Sequence, residues 1–299
     1  MSSNIDVSKF EYSGAYNRIE FEAEFVKQFS KSPRYNSGAI PDLFRLLDLI
    51  ENDRDMTDIR WTAYLLATIM WETTSPHSIE KPALNKKGKP LYDKNGKPVM
   101  VKSWPWLISM SPVDEVGHGK GRQYHEPVKV KLLADGDVRI TEHDGDQFKV
   151  KQGGSISNLT KGAKLGTKDG IPASSVYEKD DGVEHVYYGR GYVQLTWWSN
   201  YAKAGIEIGL GYGLLLDPEQ VKQPATAYKI MSYGMRTGKI FANGHSFKKY
   251  FTQTKTNYEG ARAMVNGSDH AADIAKIARQ FEAVLLKAKV ITPTQAKAK

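Results

Sequence analysis

The segment from Asp58 to Thr73 constrains the fold of this chain more strongly than any other. A helix over this segment is apolar on nearly every side, and such a helix has to be buried. Its apolar residues are Ile59, Trp61, Ala63, Tyr64, Leu65, Leu66, Ala67, Ile69, Met70 and Trp71. We therefore predict that this central helix is buried.

Further helices are predicted on both sides of the central one. Residues 15–75 read as helical, and Ile40–Ile50 has apolar residues at helical spacing, with Pro41 near its start, where the missing N–H is tolerated. The helical pattern returns later in the chain, from Asp217 to about Gly238, over Asn257–Val265 and over Asp269–Ala288.

Two β-rich segments interrupt this pattern. The first, at about 81–104, contains the echo Lys87-Gly88-Lys89-Pro90 and Asn95-Gly96-Lys97-Pro98, and Asn-Gly between extended residues is a strong hairpin signal. The second, at about 126–182, alternates apolar and polar residues around two Asp-Gly turns, which predicts a β-meander followed by a loop. We interpret both as insertions into a single domain spanning residues 1–299.

The amino-acid composition limits which classes of protein this chain can belong to. Hydrophobic residues make up 40% and charged residues 25% of the 299, enough for a packed core. The absence of cysteine excludes disulfides and thiolate metal sites, and it fits folding in a reducing cytoplasm. No signal-peptide core and no run of roughly 18 apolar residues is present, so we expect cytoplasmic synthesis without a signal peptide, no membrane insertion, and later release or delivery to the cell wall.

The net charge of +8 has two interpretations: a solvated surface, or attraction to an anionic polymer such as nucleic acid or cell envelope. No recognition helix, RNA-binding sheet motif or zinc-finger spacing is present, so nucleic acid is not an expected partner. The seven histidines lack ligand spacing, so we expect no metal and no cofactor. Hairpin turns explain four acidic residues better than calcium does: Asp135, Asp137, Asp144 and Asp146.

The run from Tyr187 to Tyr201 has the composition of a sugar-binding site. It reads Tyr-Tyr-Gly-Arg-Gly-Tyr-Val-Gln-Leu-Thr-Trp-Trp-Ser-Asn-Tyr. Its glycines at 189 and 191 allow sharp turns or a close approach of backbone to ligand. Aromatic faces beside amide and hydroxyl groups suit a sugar, which offers apolar ring faces and hydroxyl edges.

Glu72 ends the central helix. Burial against Met70 and Trp71 and the negative pole of the helix C-terminus would favour the protonated carboxyl, as a general acid requires. The alternative is an ordinary glutamate at the surface end of a helix, which the spacing alone favours.

Glu115 precedes glycines at 117, 119 and 121, a spacing typical of an irregular loop, where binding and catalytic groups often lie. The glycines match neither a phosphate loop nor a dinucleotide fingerprint. A charged loop without a role is the alternative, and composition alone favours it.

Four stretches resemble glycoside hydrolase family 19, the group of chitinases and phage-type lysozymes. The most specific is Tyr187–Tyr201, where the family carries Tyr-Tyr-Gly-Arg-Gly, Gln-Leu-Ser/Thr and Asn-Tyr. Glu72-Thr73 matches a His-Glu-Thr motif, with Trp71 in place of the histidine. Pro112–Gly121 matches a phage-type Pro-Val/Ile-x-Glu stretch with alternating glycines, and Asn266-Gly267 matches an Asn-Gly pair.

This resemblance covers residues 15–75, 110–125 and 186–288. It implies a mainly α (α+β), lysozyme-like bilobal helical fold with a central cleft and two β-rich insertions. It also implies an inverting glycosidase, in which Glu72 protonates the leaving oxygen and Glu115 activates a water, with the carboxyls about 6.5–9.5 Å apart. Asp114 and Glu80 are rival assignments for the second carboxylate.

Further roles follow from the same resemblance. Thr196 would help to hold the water, Gln194 and Asn200 would bind sugar, and Tyr188 and Arg190 would line and brace the cleft. Asn266 would face the cleft, although Asn-Gly alone is a turn signal. For Trp197 and Trp198 individually, stacking on the sugar and packing in the core are equally open.

We expect the substrate to be peptidoglycan, cleaved as by lysozymes and endolysins. Plant chitinases of the family are secreted and disulfide-rich, whereas this chain has no cysteine, no signal-peptide core and a positive net charge. Chitin is the alternative substrate. We also expect a monomer that reaches the wall with a holin or through a phage or secretion apparatus. A hypothesis of another class is a non-catalytic glycan-binding or structural protein, motivated by Trp71 and the two insertions.

Overall fold

A computed structural model describes residues 6, 8–11, 14–159 and 182–290 of the chain. The α-helices are α1 (Arg18–Phe29), α2 (Ile40–Glu51), α3 (Ile59–Glu72), α4 (Trp198–Glu207), α5 (Gly213–Leu216), α6 (Pro224–Thr237), α7 (Phe247–Tyr250) and α8 (Ala271–Ala288). Short 3-10 helices cover Ser8–Phe10, Ser37–Ala39, Gln123–His125, Pro218–Lys222 and Gly260–Met264.

The prediction of a buried central helix is confirmed by α3. Every residue from Ile59 to Met70 is buried. Asp58 caps the helix by accepting a hydrogen bond from the Arg60 amide (2.8 Å), which satisfies a free N–H of the first turn. Because α3 is apolar on all sides, it packs against α8 on one side and against the aromatic rings of the 247–258 region on another, with the Trp61 and Phe247 rings stacked 5.3 Å apart.

Two of the later helix predictions need correction. The stretch from Asp217 to Gly238 is a 3-10 helix followed by α6, which begins at Pro224, ends at Thr237 and is capped by Gly238 with φ +77°. Asn257–Val265 holds a 3-10 helix where an α-helix was predicted. There the Asn257 side chain accepts a hydrogen bond from the Gly260 amide (2.8 Å), and such a local bond competes with helical pairing.

The strands form one larger sheet and three short pairs. The five-stranded antiparallel sheet has the order β10-β6-β7-β8-β9, and the pairs are β1 with β4, β2 with β3, and β5 with β11. The strands are β1 (Ser75–Pro76), β2 (Ile79–Pro82), β3 (Met100–Ser103), β4 (Trp106–Leu107), β5 (Val113–Asp114), β6 (Val128–Leu132), β7 (Val138–Thr141), β8 (Gln147–Val150), β9 (Ile156–Asn158), β10 (Val183–His185) and β11 (Arg190–Gly191). Most of the predicted loop up to residue 182 lies outside the described residues.

The prediction of a mainly α, lysozyme-like bilobal fold with β-rich insertions is wrong. The molecule is mixed, with 41% helix and 17% strand. The five-stranded sheet is a layer of the core, because Val138, Ile140 and Val150 are 0% exposed and belong to the same apolar cluster as α3. Alternation identified these strands, but it did not show that their apolar face packs into the body of the protein.

A contact to α4 fixes the sheet in place. The Trp198 indole Nε1 donates to Glu142 Oε1 (2.7 Å), and the Trp198 ring lies 5.2 Å from the ring of Phe148. The sheet therefore packs directly on the helix that begins within the Tyr187–Tyr201 run.

The hairpin predicted at about 81–104 is present, and we call residues 78–104 the arm. Ile79 pairs with Ser103 and Pro82 with Met100, and between them two smaller turns repeat the same hydrogen bonds. Asn85 Oδ1 accepts from the amides of Lys87 and Lys89, at 2.8 and 3.1 Å. Asp93 Oδ1 accepts from the amides of Asn95 and Lys97, at 2.8 and 2.9 Å.

Candidate active site

The aromatic-rich run pairs with the segment that carries Glu115. In the β11–β5 pair, Arg190 lies opposite Asp114 and Gly191 opposite Val113. A Cβ at Gly191 would lie 2.9 Å from the carbonyl oxygen of Val221, and φ there is +81°, so this position requires glycine. The glycine therefore lets the run turn tightly against the 3-10 helix at 218–222.

Glu115 is held against the run by three hydrogen bonds. Its Oε1 accepts from the Tyr124 hydroxyl (2.8 Å) and its Oε2 from the Gly189 amide (3.2 Å). Its own amide donates to the Gly189 carbonyl (2.7 Å). Since a Cβ at Gly189 would lie 3.2 Å from Glu115 Oε2, the glycine leaves room for the carboxylate. A half-buried carboxylate thus rests on the backbone of the Tyr-Tyr-Gly-Arg-Gly sequence.

Tyr124 is a residue that sequence reasoning missed. Burial, and after it the hydrogen bond to Glu115, raises the pKa of Tyr124 to about 12, so its hydroxyl stays a donor at neutral pH. Its ring meets the ring of Trp197 edge to face at 5.7 Å. A single tyrosine in the sequence Gly-Arg-Gln-Tyr-His belongs to no recognisable motif, so its hydrogen bond to Glu115 is seen only in the folded loop.

Glu72 lies at the end of α3 and forms an ion pair. Glu72 Oε1 accepts from Arg262 Nη1 at 2.6 Å, and the side chains of Glu72 and Arg262 are 17% and 3% exposed. Arg262 also donates through Nε to the Asp269 carbonyl (2.9 Å), which orients its guanidinium. The ion pair fixes the position of the Glu72 carboxylate at the end of α3. Sequence reasoning missed Arg262 as the partner of Glu72, because 190 positions separate the two residues.

The segments that carry the two glutamates are joined directly. Thr73, next to Glu72, accepts a hydrogen bond through Oγ1 from the Met110 amide (3.2 Å) and donates to the Ile69 carbonyl (2.7 Å). Ser75 pairs with Leu107, so the whole arm leaves and re-enters the body at one place. The 43 positions from Glu72 to Glu115 are therefore mostly an excursion that returns to the end of α3.

Trp71 lies beside Glu72 at the end of α3. Its ring lies 4.7 Å from the ring of His270, and the Arg34 guanidinium lies 5.5 Å from its centre. Trp71 is thus packed between basic side chains beside the Glu72–Arg262 pair.

The rivals for the second carboxylate have different surroundings. Asp114 Oδ2 pairs with Lys222 Nζ (2.8 Å), and Asp114 Oδ1 lies 3.6 Å from Arg190 Nε. Because successive side chains of a strand point to opposite sides, Asp114 faces this ion-pair network while Glu115 faces Tyr124. Glu80 is exposed on β2 of the arm.

Tyr188 and Arg190 form a stack within the run. The Arg190 guanidinium lies 3.6 Å from the centre of the Tyr188 ring and is 4% exposed. It donates to Glu219 (3.1 Å), to the Tyr201 hydroxyl (3.1 Å) and to the Val186 carbonyl (2.9 Å). The Tyr188 ring also stacks on the exposed His118 at 4.5 Å. Arg190 therefore braces the run from inside, whereas Tyr188 and His118 reach solvent.

The second half of the run has an unusual backbone. Gln194 and Trp197 have φ of +51° and +71°, a region that non-glycine residues rarely adopt and that is often found at functional sites. Gln194 Nε2 donates to the carbonyls of Val113 and Gly191, at 3.3 and 3.2 Å. Trp197 is 41% exposed, whereas Trp198 is 8% exposed and packs on the sheet. The open question about Trp197 is thus resolved in favour of a surface position.

The remaining predicted residues lie around these groups. Thr196 and Asn200 are half-buried, and the side-chain Nδ2 of Asn200 donates to the Thr196 backbone carbonyl (3.0 Å) at the start of α4. Asn266 is exposed, and its backbone amide donates to the Arg262 carbonyl (3.0 Å). Asn266 is therefore attached to the loop that supplies the partner of Glu72.

Within the described residues, the carboxylates of Glu142, Asp144 and Asp146 lie within 4.8 Å of one another. They occupy the turn between β7 and β8, where Glu142 accepts from Trp198.

Comparison with known proteins gives no relative for this chain: no protein-family model, no curated protein and no solved structure matches it. None of the described helices is long and apolar enough to cross a lipid bilayer.

Proposed function

We propose that the protein is an inverting glycoside hydrolase that cleaves β-1,4-linked N-acetylhexosamine glycan. The observation that carries the proposal is the fixed position of Glu115: Tyr124 and the Gly189 amide bind its two carboxylate oxygens at 2.8 and 3.2 Å, and Gly189 belongs to the run that resembles family 19. Glu72 lies on the adjoining segment, linked through Thr73 and Met110. Two carboxylates on joined segments beside exposed aromatic rings suit glycosidic hydrolysis.

Each carboxylate has a defined part in the proposed reaction. Glu72 gives a proton to the glycosidic oxygen as the bond from that oxygen to the anomeric carbon breaks. Glu115 takes a proton from a water whose oxygen attacks the anomeric carbon from the opposite face, with Thr196 orienting that water. Arg262 Nη1 lies 2.6 Å from Glu72 Oε1, so the glycosidic oxygen has to displace Arg262 from this carboxylate oxygen or contact the other one.

Sugar binding is assigned to side chains around the two carboxylates. Trp197 and Tyr188 offer aromatic faces, and Asn200, Gln194 and Asn266 offer amide groups. Arg190 supports Tyr188 from beneath, since its guanidinium is buried.

Peptidoglycan is the substrate we favour, because a chain with net charge +8 is attracted to the anionic cell wall. In this proposal the protein acts on the wall as a monomer, after release with a holin or delivery by a phage or secretion apparatus. Chitin is the second substrate. A non-catalytic glycan-binding protein is the candidate of another class, favoured by Trp71 and by the ion pair of Glu72 with Arg262.

The test is reducing-sugar release from purified peptidoglycan and from chitin oligomers by wild type, Glu72→Gln and Glu115→Gln. Loss of an acid or base should lower the rate by about 10²–10⁴-fold. Glu22→Gln, on the exposed side of α1, is the matched control and should keep full activity.

Several outcomes would change the proposal. Release from chitin alone moves the protein to the chitinase alternative. Loss of release in Asp114→Asn or Glu80→Gln, with Glu115→Gln active, reassigns the second carboxylate. A folded wild-type protein that binds both glycans and releases nothing from either is a binding protein.

A further inference from the structure

The arm exposes apolar and basic side chains together along its length. From Ser78 to Lys102 every residue except Ala83 is exposed. The arm is therefore held by its turns and its β2–β3 pairing and contributes nothing to the core of the protein. A segment with this much exposed apolar surface is expected to have a binding partner.

Charge identifies the kind of partner. The arm holds seven lysines against two acidic residues, a net charge of +5 out of +8 for the entire chain. Both repeated turns present lysines at their tips, two of them being Lys87 and Lys97. Such a concentration of positive charge on one projection attracts an anionic polymer.

The exposed aromatic side chains of the arm narrow the partner further. Tyr92 is 61% exposed and Trp104 is 62% exposed, and Trp106 at the base of the arm is 51% exposed. Flat aromatic faces stack on the apolar faces of sugar rings, while lysines pair with carboxylates. The combination fits a glycan that carries acidic groups along its length.

The place where the arm joins the body connects it to the candidate site. Ser75 pairs with Leu107 and the His77 amide donates to the Pro105 carbonyl (2.9 Å), so the base of the arm lies three to five residues beyond Glu72. A polymer bound beside Glu72 passes the base of the arm. Nucleic acid and anionic membranes are also negatively charged, but neither explains why the arm is attached next to the candidate acid, Glu72.

We propose that the arm binds the anionic part of peptidoglycan, its stem-peptide carboxylates and adjoining sugars, and so selects peptidoglycan over the uncharged polymer chitin. This inference rests on the proposed function for the claim that arm and site act on one polymer. The arm's own binding is measured separately from hydrolysis.

The experiment is co-sedimentation with insoluble peptidoglycan and with chitin particles, using full-length Glu72→Gln protein to prevent turnover. The arm variant replaces four exposed lysines with glutamine: Lys86, Lys87, Lys94 and Lys97. The matched control makes the same change in net charge at four exposed lysines elsewhere: Lys31, Lys203, Lys248 and Lys276.

We expect the arm variant to bind peptidoglycan about tenfold more weakly at low ionic strength and the control to lose less than about twofold. Both should bind chitin as the parent protein does, and added salt should remove the difference on peptidoglycan. Tyr92→Ala with Trp104→Ala should weaken binding to peptidoglycan in a way that salt does not remove. Equal losses in arm and control variants, or unchanged binding by the arm variant, would overturn the proposal.

Two further measurements separate the possible failures. If single-stranded DNA or phosphatidylglycerol vesicles bind through the arm lysines more tightly than peptidoglycan does, the partner is not a glycan and the inference is wrong. If the protein with Glu72 intact releases no sugar while the arm lysines still govern peptidoglycan binding, the proposed hydrolase function fails and the arm inference stands.

Discussion

The arm and the five-stranded sheet share a β-rich sequence character, but they have opposite relations to the core. In the sheet, Val138, Ile140 and Val150 are 0% exposed and pack with the helices. In the arm, Ile79, Leu84 and Val101 are between 38% and 56% exposed. The same type of apolar residue thus builds the core in one region and covers a projecting surface in the other.

The difference lies in what each region packs against. The sheet has a partner surface, because Trp198 of α4 contacts both Phe148 and Glu142. Among the described residues, the arm is paired to the body at a base two residue pairs wide, Ser75 with Leu107 and Pro76 with Trp106. Strand pattern therefore predicts pairing within a segment, but burial depends on a second layer.

The largest expected contrast comes from deleting most of each region and closing the gap with a two-residue Asn-Gly turn. Replacing residues 78–104, between the hydrogen-bonded His77 and Pro105, should change the free energy of unfolding by no more than about 1 kcal/mol, because exposed residues are lost. Replacing residues 139–149, between the paired Val138 and Val150, should abolish cooperative folding, since total stability is only about 5–15 kcal/mol. Urea denaturation followed by circular dichroism measures both. A folded protein without residues 139–149 would show that the sheet is dispensable.

A smaller contrast comes from one substitution made in each region. Ile140→Ala should destabilise by about 2–5 kcal/mol, because it removes a side chain that is 0% exposed. Ile79→Ala in the arm should cost about 0.5 kcal/mol or less, because Ile79 is 38% exposed. Chemical denaturation gives both values. Similar losses at the two positions would contradict the division into core sheet and projecting arm.

The smallest expected effect concerns the ion pair on the sheet. Lys149 Nζ lies 2.7 Å from Asp135 Oδ2, and this hydrogen bond lowers the pKa of the Asp135 carboxyl. A lowered pKa contributes stability that is present above the unfolded pKa of about 3.9 and is lost as the pH falls through the folded pKa. Asp135→Asn should therefore be slightly less stable than wild type at neutral pH, and the difference should disappear at about pH 2.

Denaturant titrations at the two pH values test this effect, and added salt should reduce it at neutral pH because the pair is exposed. A difference that grows on acidification would show that the Asp135 carboxyl does not stabilise the fold through Lys149.

Some residues of the candidate site could be predicted from the sequence, but their contacts could not. The Tyr187–Tyr201 run stands out in the sequence because of its composition, whereas Glu72 and Glu115 are selected by their resemblance to family motifs. The partners of the two glutamates do not stand out: Tyr124 is unremarkable in its sequence context, and Arg262 lies 190 positions from Glu72. Arg190 resembles a binding residue in the sequence, yet the fold buries its guanidinium beneath Tyr188. Long-range contacts of this kind leave no local pattern.

The sequence by itself determined the central helix α3, the hairpin turns of the arm and the alternation of the sheet strands. These depend on local spacing: apolar residues on every side of a helix, Asn-Gly at a turn, and a period of two in a strand. Only the tertiary structure decided that the sheet belongs to the core while the arm projects, and that Glu72 pairs with Arg262 and Glu115 with Tyr124. Those outcomes depend on which distant surfaces meet, and that is settled by packing and ion pairing across the whole chain rather than by any short segment.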